Sequence, residues 1–469
     1  MIPIDPGDTA DDVVAKAAQV TPTPAQLAWQ RTELSGFVHF GPNTFTGREW
    51  GTGAEVPDDF APTALDTRQW AAAFAAAGFG RVIGVAKHHE GFCLFPSRYT
   101  EHSVAASRWH DGSGDVVRGF VDAMRERDIA VGLYLSPADL FEAQPGRRYA
   151  NGSEPRSVTV PTLVPGDDRA DAVADGSLPT FELDLDDYNA CFVNQLYELL
   201  TEYGPVEEVW LDGANPTDRE QPYAWEAWFE VISTLQPDAV VFNGRSVRWV
   251  GNESGVARES EWSVLPFVGD PATTRMRNEV ADEEAADLGS RARLADPRAT
   301  FLDWYPAECD ASIVDGWFWT EDKRPLALDE LTSMYLASVG RNGVLLLNVA
   351  PDIRGLIPAD QVARLRELGD WVRTTYDDEA LVDHGRIGAI VLREPIERGQ
   401  LIEAFEADGL VEGSWQRLAT GTTIGHKRIL VLDAPVVVDS LRVRVTAARA
   451  EGATAEVAGS TAHDNAGGE

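Results

Sequence analysis

The feature that most constrains the fold is an alternation of short apolar runs with amphipathic segments between residues 25 and 376. The apolar runs predict strands at 35–40, 81–86, 130–136, 207–211, 238–243 and 344–348. The intervening segments predict helices at 67–77, 116–127, 188–203, 225–235, 328–339 and 361–373. Continuously apolar strands separated by helices are typical of a parallel sheet covered on both faces. At least six such units in about 350 residues predict an α/β chain with a (β/α)8-like barrel.

The pattern changes on both sides of this region. Residues 1–24 are predicted to be a polar lead-in, and residues 25–376 the barrel domain. Within the barrel, residues 141–184 are rich in Pro, Gly and Asp and predict a long loop insertion on the rim, suited to substrate selection. Residues 377–460 predict an all-β sandwich with strands at 387–392, 399–405, 428–432 and 437–445, followed by a disordered tail at 461–469.

The composition narrows the classes of partner. A formal net charge of -36 argues against nucleic acid and against an anionic membrane surface, because both would be repelled. No apolar run reaches the roughly 18 residues of a transmembrane helix. The cysteines, Cys93, Cys191 and Cys309, are far apart in the sequence and predict neither a disulfide framework nor a zinc site. With an N-terminus unlike a signal peptide, they predict a cytoplasmic protein.

Asp212 follows the apolar run 207–211 and precedes Gly213, which predicts a carboxylate at the end of a buried strand. The carboxyl ends of barrel strands carry the active site. An isolated Asp-Gly pair is more simply a turn whose Asp bonds its own backbone, so the neighbouring strand ends decide between these interpretations. Those ends also carry His39, Glu49, Trp50, His88, His89, Tyr134, Trp210, Arg248 and Glu253.

These side chains favour a sugar-binding cavity over a metal site. His88 and His89 are adjacent, and adjacent strand residues point to opposite faces, so they rarely bind one ion. We therefore predict neither a metal nor a cofactor. His, Glu, Tyr and Arg match the donors and acceptors of ring hydroxyls, and Trp suits the apolar face of a sugar. Asp212 with a second carboxylate on a later loop would supply the nucleophile and acid/base of retaining glycoside hydrolysis.

Longer motifs extend this interpretation to a family. The sequence resembles the α-L-fucosidases of glycoside hydrolase family 29, specifically the subgroup that acts on 1,3- and 1,4-linked fucose. The matching motifs run in family order: FVHFGPNTFTGREWG at 37–51, AKHHEGFC at 86–93, GLYLSP at 132–137, WLDG at 210–213, RWVGNE at 248–253, PAECD at 306–310, GWFW at 316–319 and GRNGVLLLN at 340–348.

The resemblance implies a retaining mechanism on a (β/α)-barrel. In it, Asp212 matches the nucleophile and Glu253 the general acid/base. Further matches imply contacts with the sugar: His39, His88, His89 and Glu49 with fucose hydroxyls, Trp50, Trp210 and Tyr134 along the same cavity, and Trp317 near the fucose methyl group. The strands of 377–460 resemble a galactose-binding-like sandwich.

Three departures from the family pattern leave the aglycone preference open. The family usually has Asp at Glu90 and often Trp at Ala138, and residues 141–184 align poorly. Glu259, Glu261 and Glu308 are alternatives to Glu253 as acid/base.

The predicted function is an exo-acting α-L-fucosidase that removes terminal 1,3- or 1,4-linked fucose from a fucosylated oligosaccharide or glycoconjugate, with no prediction of oligomeric state. The alternatives are a catalytically silent glycan-binding protein and a glycosidase for a related sugar such as L-galactose.

Overall fold

The computed structural model describes residues 1–215, 220–242, 244, 246–270 and 285–461. Its strands are β1 (Ile2–Pro3), β2 (Leu34–Val38), β3 (Arg81–Lys87), β4 (Ala130–Leu135), β5 (Arg156–Val160), β6 (Phe181–Leu185), β7 (Glu208–Trp210), β8 (Val240–Phe242), β9 (Arg248–Trp249), β10 (Val264–Phe267), β11 (Phe301–Trp304), β12 (Ala307–Ser312), β13 (Val344–Asn348), β14 (Leu381–Val382), β15 (Gly385–Arg393), β16 (Ile402–Val411), β17 (Ser414–Gly421), β18 (Arg428–Val438), β19 (Leu441–Ala448) and β20 (Glu456–Ser460). Its α-helices are α1 (Ala10–Ala17), α2 (Pro24–Arg31), α3 (Pro42–Thr46), α4 (Thr67–Ala76), α5 (Val116–Arg125), α6 (Ala170–Ala174), α7 (Asp187–Glu202), α8 (Trp225–Leu235), α9 (Arg291–Leu294), α10 (Leu328–Ser338) and α11 (Ala359–Thr375).

The centre of the molecule is an eight-stranded parallel sheet in the order β8-β7-β4-β3-β2-β13-β12-β9. Val247, which directly precedes β9, forms a parallel bridge with Phe242 of β8, so the sheet curves into a nearly closed barrel. Strands β2, β3 and β13 are buried along their whole length, as expected when helices cover the outside and side chains fill the inside. The predicted (β/α)8-like barrel is confirmed.

The regular alternation breaks down after β8. The predicted strand 238–243 ends at Phe242, and Asn243 lies outside the described residues. Strand β9 has two residues, and the chain then leaves the barrel to form the antiparallel pair β10 and β11 before returning as β12. This detour starts with the loop that carries Glu253, so the local irregularity places a functional candidate at the cavity mouth.

The segment 1–24, predicted as a polar lead-in, is folded onto that detour. Strand β1 pairs with β11, and a capping box at Thr9 starts α1. Val13 and Val14 on one face of α1 pack against Val264 and Trp304. The many acidic and small residues around this face hid its amphipathic spacing in the sequence.

The insertion 141–184 contains an antiparallel hairpin, β5 and β6, in addition to loop segments. Its buried side chains alternate along β6 at Phe181, Leu183 and Leu185, which is the period of a half-buried strand. Ionic contacts hold the insertion to the barrel, including Arg98 to Asp168 at 2.7 Å. The hairpin was missed because its partner strand, β5, is mostly exposed and polar.

The C-terminal region is an all-β sandwich, as predicted, of two antiparallel sheets ordered β14-β20-β15-β18 and β17-β16-β19. Ile390, Leu392, Ile402 and Phe405 contribute to the core between them. The predicted single strand 437–445 is wrong. Strand β18 ends at Val438 and β19 begins in the other sheet, because the chain turns between the sheets. Strands β17 and β20 were not predicted, and residues 462–469 of the predicted tail lie outside the described residues.

Partly buried polar contacts join the sandwich to the barrel. Glu33, which precedes β2, contacts Lys427 Nζ at 2.5 Å and His426 Nε2 at 2.9 Å. Arg341 forms a backbone bridge with Arg428 at the start of β18. No helix in the described part of the chain is both long and apolar enough to cross a membrane.

Candidate active site

A cavity of about 370 Å³ opens at the carboxyl ends of the barrel strands. Ten predicted site residues line it: His39, Glu49, Trp50, His88, His89, Tyr134, Trp210, Asp212, Glu253 and Trp317. Many of them lie at or just beyond strand ends, such as His39 after β2, His88 after β3 and Asp212 after β7. Parallel strands end at one rim, so residues distant in sequence converge there.

Arg248, the remaining predicted site residue, points away from the cavity. Its guanidinium forms a buried ion pair with Glu261, and its Nε donates to the Tyr305 carbonyl at 3.2 Å. The predicted direct contact with substrate is therefore not provided by this side chain. The next residue on β9, Trp249, lines the cavity instead, because successive strand residues face opposite sides.

Two hydrogen bonds orient the carboxylate of Asp212. The Tyr134 hydroxyl on β4 donates to Oδ2 at 3.1 Å, and the Ala214 backbone N–H donates to Oδ1 at 2.9 Å. His89 Nε2 lies 3.6 Å from Oδ2. The carboxylate is thus fixed in orientation while a quarter of its side chain remains exposed (26%), leaving it accessible to a bound molecule.

Glu253 lies on the exposed loop after β9, with its carboxyl group facing the same cavity. Desolvation on the cavity side raises its pKa, the negative charges of Asp212 and Glu49 add to the rise, and a hydrogen bond with Trp317 opposes it. A carboxyl group that stays protonated to higher pH beside an accessible carboxylate is suited to act as a general acid.

The other glutamates that the sequence left open are placed elsewhere. Glu259 pairs with Arg428 and, at 3.1 Å, with Arg341 at the junction with the sandwich. Glu261 pairs with Arg248, and Glu308 is fully buried below the cavity, where its Oε1 accepts from the Trp210 indole at 2.9 Å. Of these four glutamates, Glu253 alone lines the cavity.

The expectation that His88 and His89 point to opposite sides is wrong. Strand β3 ends at Lys87, so the alternation of a strand no longer applies, and both rings line the cavity with centroids 4.1 Å apart. In the described part of the chain, no group of three or more His, Cys, Asp or Glu residues is arranged to hold a metal ion.

The cavity histidines are neutral and two of them have defined tautomers. Burial lowers the pKa of His88 and of His89 to about 3, and burial with the nearby His88 lowers that of His39 well below its ordinary value. His39 Nδ1 donates to Asn348 Oδ1 at 2.9 Å, because the Asn348 amide nitrogen is bonded to the Trp317 carbonyl. His89 Nδ1 donates to Ser136 Oγ at 2.8 Å, because that hydroxyl donates to Ala138. Each ring therefore keeps an acceptor nitrogen, Nε2.

Glu90, one of the two residues that depart from the family pattern, lies beside His88. Glu90 Oε2 accepts from Asn43 at 3.0 Å and lies 3.5 Å from His88 Nδ1. Burial, with the charges of Glu55 and Asp139, raises the pKa of Glu90 to about 8. Glu90 therefore sits behind the cavity wall as a neutral acid at neutral pH.

Glu49 fastens the loop that carries Trp317 to the cavity rim. Its Oε2 accepts from the Trp317 backbone N–H at 2.9 Å, and its Oε1 accepts from Lys323 Nζ at 2.9 Å. Glu49 therefore positions an aromatic wall of the cavity.

Aromatic rings form the remaining walls. Trp210 stacks on Phe242 with centroids 4.0 Å apart, and on Tyr134 at 5.1 Å. At the mouth, Trp50 lies over His89 at 4.0 Å and remains 43% exposed. Flat apolar faces beside carboxylates and neutral histidines match the two sides of a sugar ring.

Besides Gly213 and Ala214, which follow Asp212, sequence reasoning missed four lining residues, all with aromatic or acidic side chains: Phe37, Phe242, Trp249 and Asp310. Phe37 and Phe242 lie in predicted strands. In a strand that is apolar throughout, the sequence does not show which side chains face the cavity and which pack in the hydrophobic core. Trp249 and Asp310 lie in the motifs at 248–253 and 306–310, whose strand phase was unknown. Asp310 is the most consequential, because it adds a third carboxyl group to the cavity.

Comparisons with known proteins identify the family of the chain. The α-L-fucosidase family profile matches residues 25–376. Alpha-L-fucosidase 1 of Arabidopsis thaliana is 34% identical, and the alignment covers 92% of this chain and 85% of the plant protein.

Two solved structures share the architecture. A glycoside hydrolase 29 family member from an unknown rumen bacterium has a TM-score of 0.75 and 31% identity, covering 94% of this chain and 77% of that one. A Ruminococcus gnavus GH29 fucosidase in complex with fucose has a TM-score of 0.75 and 26% identity, covering 95% and 96%. The chain therefore belongs to the α-L-fucosidase family, glycoside hydrolase family 29, and is a glycoside hydrolase.

Proposed function

We propose that the chain is a retaining exo-α-L-fucosidase in which Asp212 is the nucleophile and Glu253 the general acid/base. The observation that carries this proposal is the pair of carboxyl groups in one cavity, Asp212 oriented by hydrogen bonds and Glu253 with a raised pKa. Retaining hydrolysis requires such a pair on opposite sides of the scissile bond, about 5 Å apart.

The reaction has two displacements. Asp212 attacks the anomeric carbon of fucose while Glu253 gives its proton to the glycosidic oxygen, so the aglycone leaves and a covalent fucosyl ester remains. Glu253, now ionised, takes a proton from water, which attacks the same carbon and releases fucose and the Asp212 carboxylate. The overall configuration at the anomeric carbon is retained.

The remaining wall would hold the sugar. The Nε2 atoms of His39 and His89 would accept hydrogen bonds from fucose hydroxyls, with His88 alongside. Trp317 would lie near the methyl group. Because an apolar contact of this kind rejects an added hydroxyl only modestly, an aryl α-L-galactoside should be a slower substrate rather than an inert compound.

The proposed substrates are oligosaccharides or glycoconjugates with terminal 1,3- or 1,4-linked fucose. The motifs that resemble the 1,3/1,4 subgroup support this linkage preference. Product analysis on 1,2-, 1,3-, 1,4- and 1,6-fucosylated oligosaccharides should show release of fucose from the 1,3 and 1,4 compounds and little from the 1,2 compound. Preferential cleavage of 1,2 or 1,6 linkages would overturn the preference and leave the chemistry intact.

The proposed mechanism is tested with Asp212→Ala and Glu253→Ala on an aryl α-L-fucoside. Each should lower kcat by orders of magnitude without changing the thermal melting temperature, and azide should partly restore Asp212→Ala as a glycosyl azide. Early NMR spectra of the wild-type reaction should show the α-anomer of fucose forming first. Full activity of Asp212→Ala, or initial release of the β-anomer, would contradict the mechanism.

We also propose, as predicted from the sequence, that the protein is cytoplasmic. The three cysteines are buried free thiols, which is compatible with a reducing compartment. Fractionation of the producing cells with an antibody to the chain would test it, and recovery of the protein outside the cytoplasm would contradict it.

A further inference from the structure

Asp310 is a third carboxyl group in the cavity and is held in one orientation. It lies on β12, is 4% exposed, and lines the same cavity as Asp212 and Glu253. Its Oδ1 accepts a hydrogen bond of 2.7 Å from the indole N–H of Trp249 on the neighbouring strand β9. This bond occupies one oxygen and leaves Oδ2 as the oxygen available to a cavity ligand.

The surroundings of Asp310 favour its neutral form. Burial raises its pKa to about 8, with the charges of Glu253 and Asp212 adding to the rise and the Trp249 bond opposing it. Glu308 is a further acidic neighbour on its own strand, and the adjacent strand β13 places Leu346 opposite it. Since Oδ1 accepts from Trp249, the proton of the neutral acid belongs on Oδ2.

A hydrogen-bond donor at this position would complement the acceptors that line the cavity. The Nε2 atoms of His39 and His89 and the carboxylate of Asp212 are all acceptors. A sugar hydroxyl that donates to one of them still presents oxygen lone pairs, which require donors once water has been displaced.

We propose that Asp310 binds the substrate as a neutral carboxylic acid, donating a hydrogen bond from Oδ2 to a sugar oxygen. This inference rests on the proposed function, since it takes fucose as the molecule in the cavity. It also distinguishes Asp310 from Asp212 and Glu253, whose proposed roles are in bond making and breaking.

The test measures binding of L-fucose by calorimetry in the Glu253→Gln protein, which removes the titration of Glu253. Three proteins are compared at pH 6.5 and pH 9: Glu253→Gln alone and the same protein with Asp310→Asn or Asp310→Ala. Asparagine keeps an acceptor for Trp249 and a donor toward the cavity but carries no titratable proton. His39, His88 and His89 do not titrate in this range, because their pKa values lie far below it.

At pH 6.5 the Asp310→Ala protein should bind L-fucose about tenfold more weakly than its parent, which is the contribution of one ordinary hydrogen bond. The Asp310→Asn protein should bind clearly more tightly than Asp310→Ala. At pH 9 the parent should lose affinity as Asp310 ionises, while Asp310→Asn should not. Persistence of the pH effect in Asp310→Asn would assign it to another group, such as Glu90, and overturn the inference.

Two other outcomes would also overturn it. Equal weakening by Asn and Ala would make Asp310 an anionic acceptor, and equal binding by all three proteins would remove it from the sugar contacts. In both cases the parent protein still binds fucose, so the proposed function survives. Failure of the Glu253→Gln protein to bind L-fucose at all would contradict the assignment of the cavity itself.

Discussion

The hydroxyl of Tyr134 donates a hydrogen bond of 3.1 Å to Oδ2 of Asp212 across the neighbouring strands β4 and β7. With the Ala214 backbone N–H on Oδ1, it fixes both carboxylate oxygens. A nucleophile that is oriented before the substrate arrives does not lose rotational freedom during the reaction.

Removing this hydroxyl should therefore affect turnover more than binding. Tyr134→Phe keeps the ring that stacks on Trp210 and deletes only the donor. We expect kcat on an aryl α-L-fucoside to fall between about 10- and 100-fold, the range for a hydrogen bond to a charged group, with a smaller change in KM. An unchanged kcat with an unchanged melting temperature would show that the bond does not orient the reacting group.

Glu253 and Glu259 offer a matched pair for the acid/base assignment, because they are six positions apart but only Glu253 lines the cavity. Glu253→Gln should lower kcat on a natural fucoside by about 10²- to 10⁴-fold, the usual contribution of a positioned proton donor. On a fucoside with an activated aryl leaving group, which needs no protonation, kcat/KM should fall much less, because this ratio reports the first displacement and not the later hydrolysis of the fucosyl ester. Glu259→Gln should retain activity on both substrates, and a large loss there with Glu253→Gln active would reverse the assignment.

Hydrogen bonds between tyrosines connect the insertion 141–184 to the loop that follows Asp212. Tyr149 from the insertion bonds Tyr223 at 2.7 Å, and Tyr223 donates to the Ala214 carbonyl at 2.9 Å, two residues from Asp212. The insertion itself contributes no residue to the cavity lining in the described part of the chain.

Loss of the hydrogen bonds of Tyr223 to Tyr149 and to the Ala214 carbonyl should displace the loop that follows Asp212. Tyr223→Phe is expected to lower kcat by about tenfold, since small displacements of a reacting group are costly. Tyr99→Phe is the control, because Tyr99 also bonds the insertion, at the Thr162 carbonyl (2.8 Å), and its hydroxyl makes no hydrogen bond to residues 212–215, the described part of the Asp212 loop. Equal effects of the two variants would show a general loss of stability and no specific positioning.

Glu33 links the barrel to the sandwich and should make stability depend on pH. Burial alone would raise its pKa, but the hydrogen bond to His426 and the charge of Lys427 lower the pKa to about 2 from 4.5. A carboxyl group with a lowered folded-state pKa contributes stability above its unfolded pKa and loses it as pH falls through the folded value.

Glu33→Gln should accordingly lower the free energy of unfolding by about 3 kcal/mol at pH 7, from roughly 1.4 kcal/mol per pKa unit. The difference from wild type should shrink below pH 4.5 and vanish near pH 2. Urea unfolding of both proteins across this range measures it. A difference that stays constant with pH would mean that packing, and not the ionised carboxylate, is responsible.

The sequence by itself determined the barrel and the identity of most residues around its cavity. The strands β3 and β13 were predictable because a strand buried on both faces is apolar throughout, which is a local property. His39, His88 and Asp212 were predictable for a related reason: strands of a parallel barrel end at one rim, so a polar residue just after an apolar run belongs there.

Only the tertiary structure decided what depended on contacts between distant residues or on the phase of short strands. Strand β9 has two residues, too few to show a period, so the sequence could not tell that Trp249 faces the cavity and Arg248 faces Glu261. The family resemblance favoured Glu253 as the acid/base, but local pattern could not exclude the other three glutamates. Their positions are set by partners far along the chain, such as Arg428 for Glu259 and Trp210 for Glu308. Local pattern fixes which segments are strands and helices, whereas the direction and ionisation of a side chain depend on the neighbours that folding brings to it.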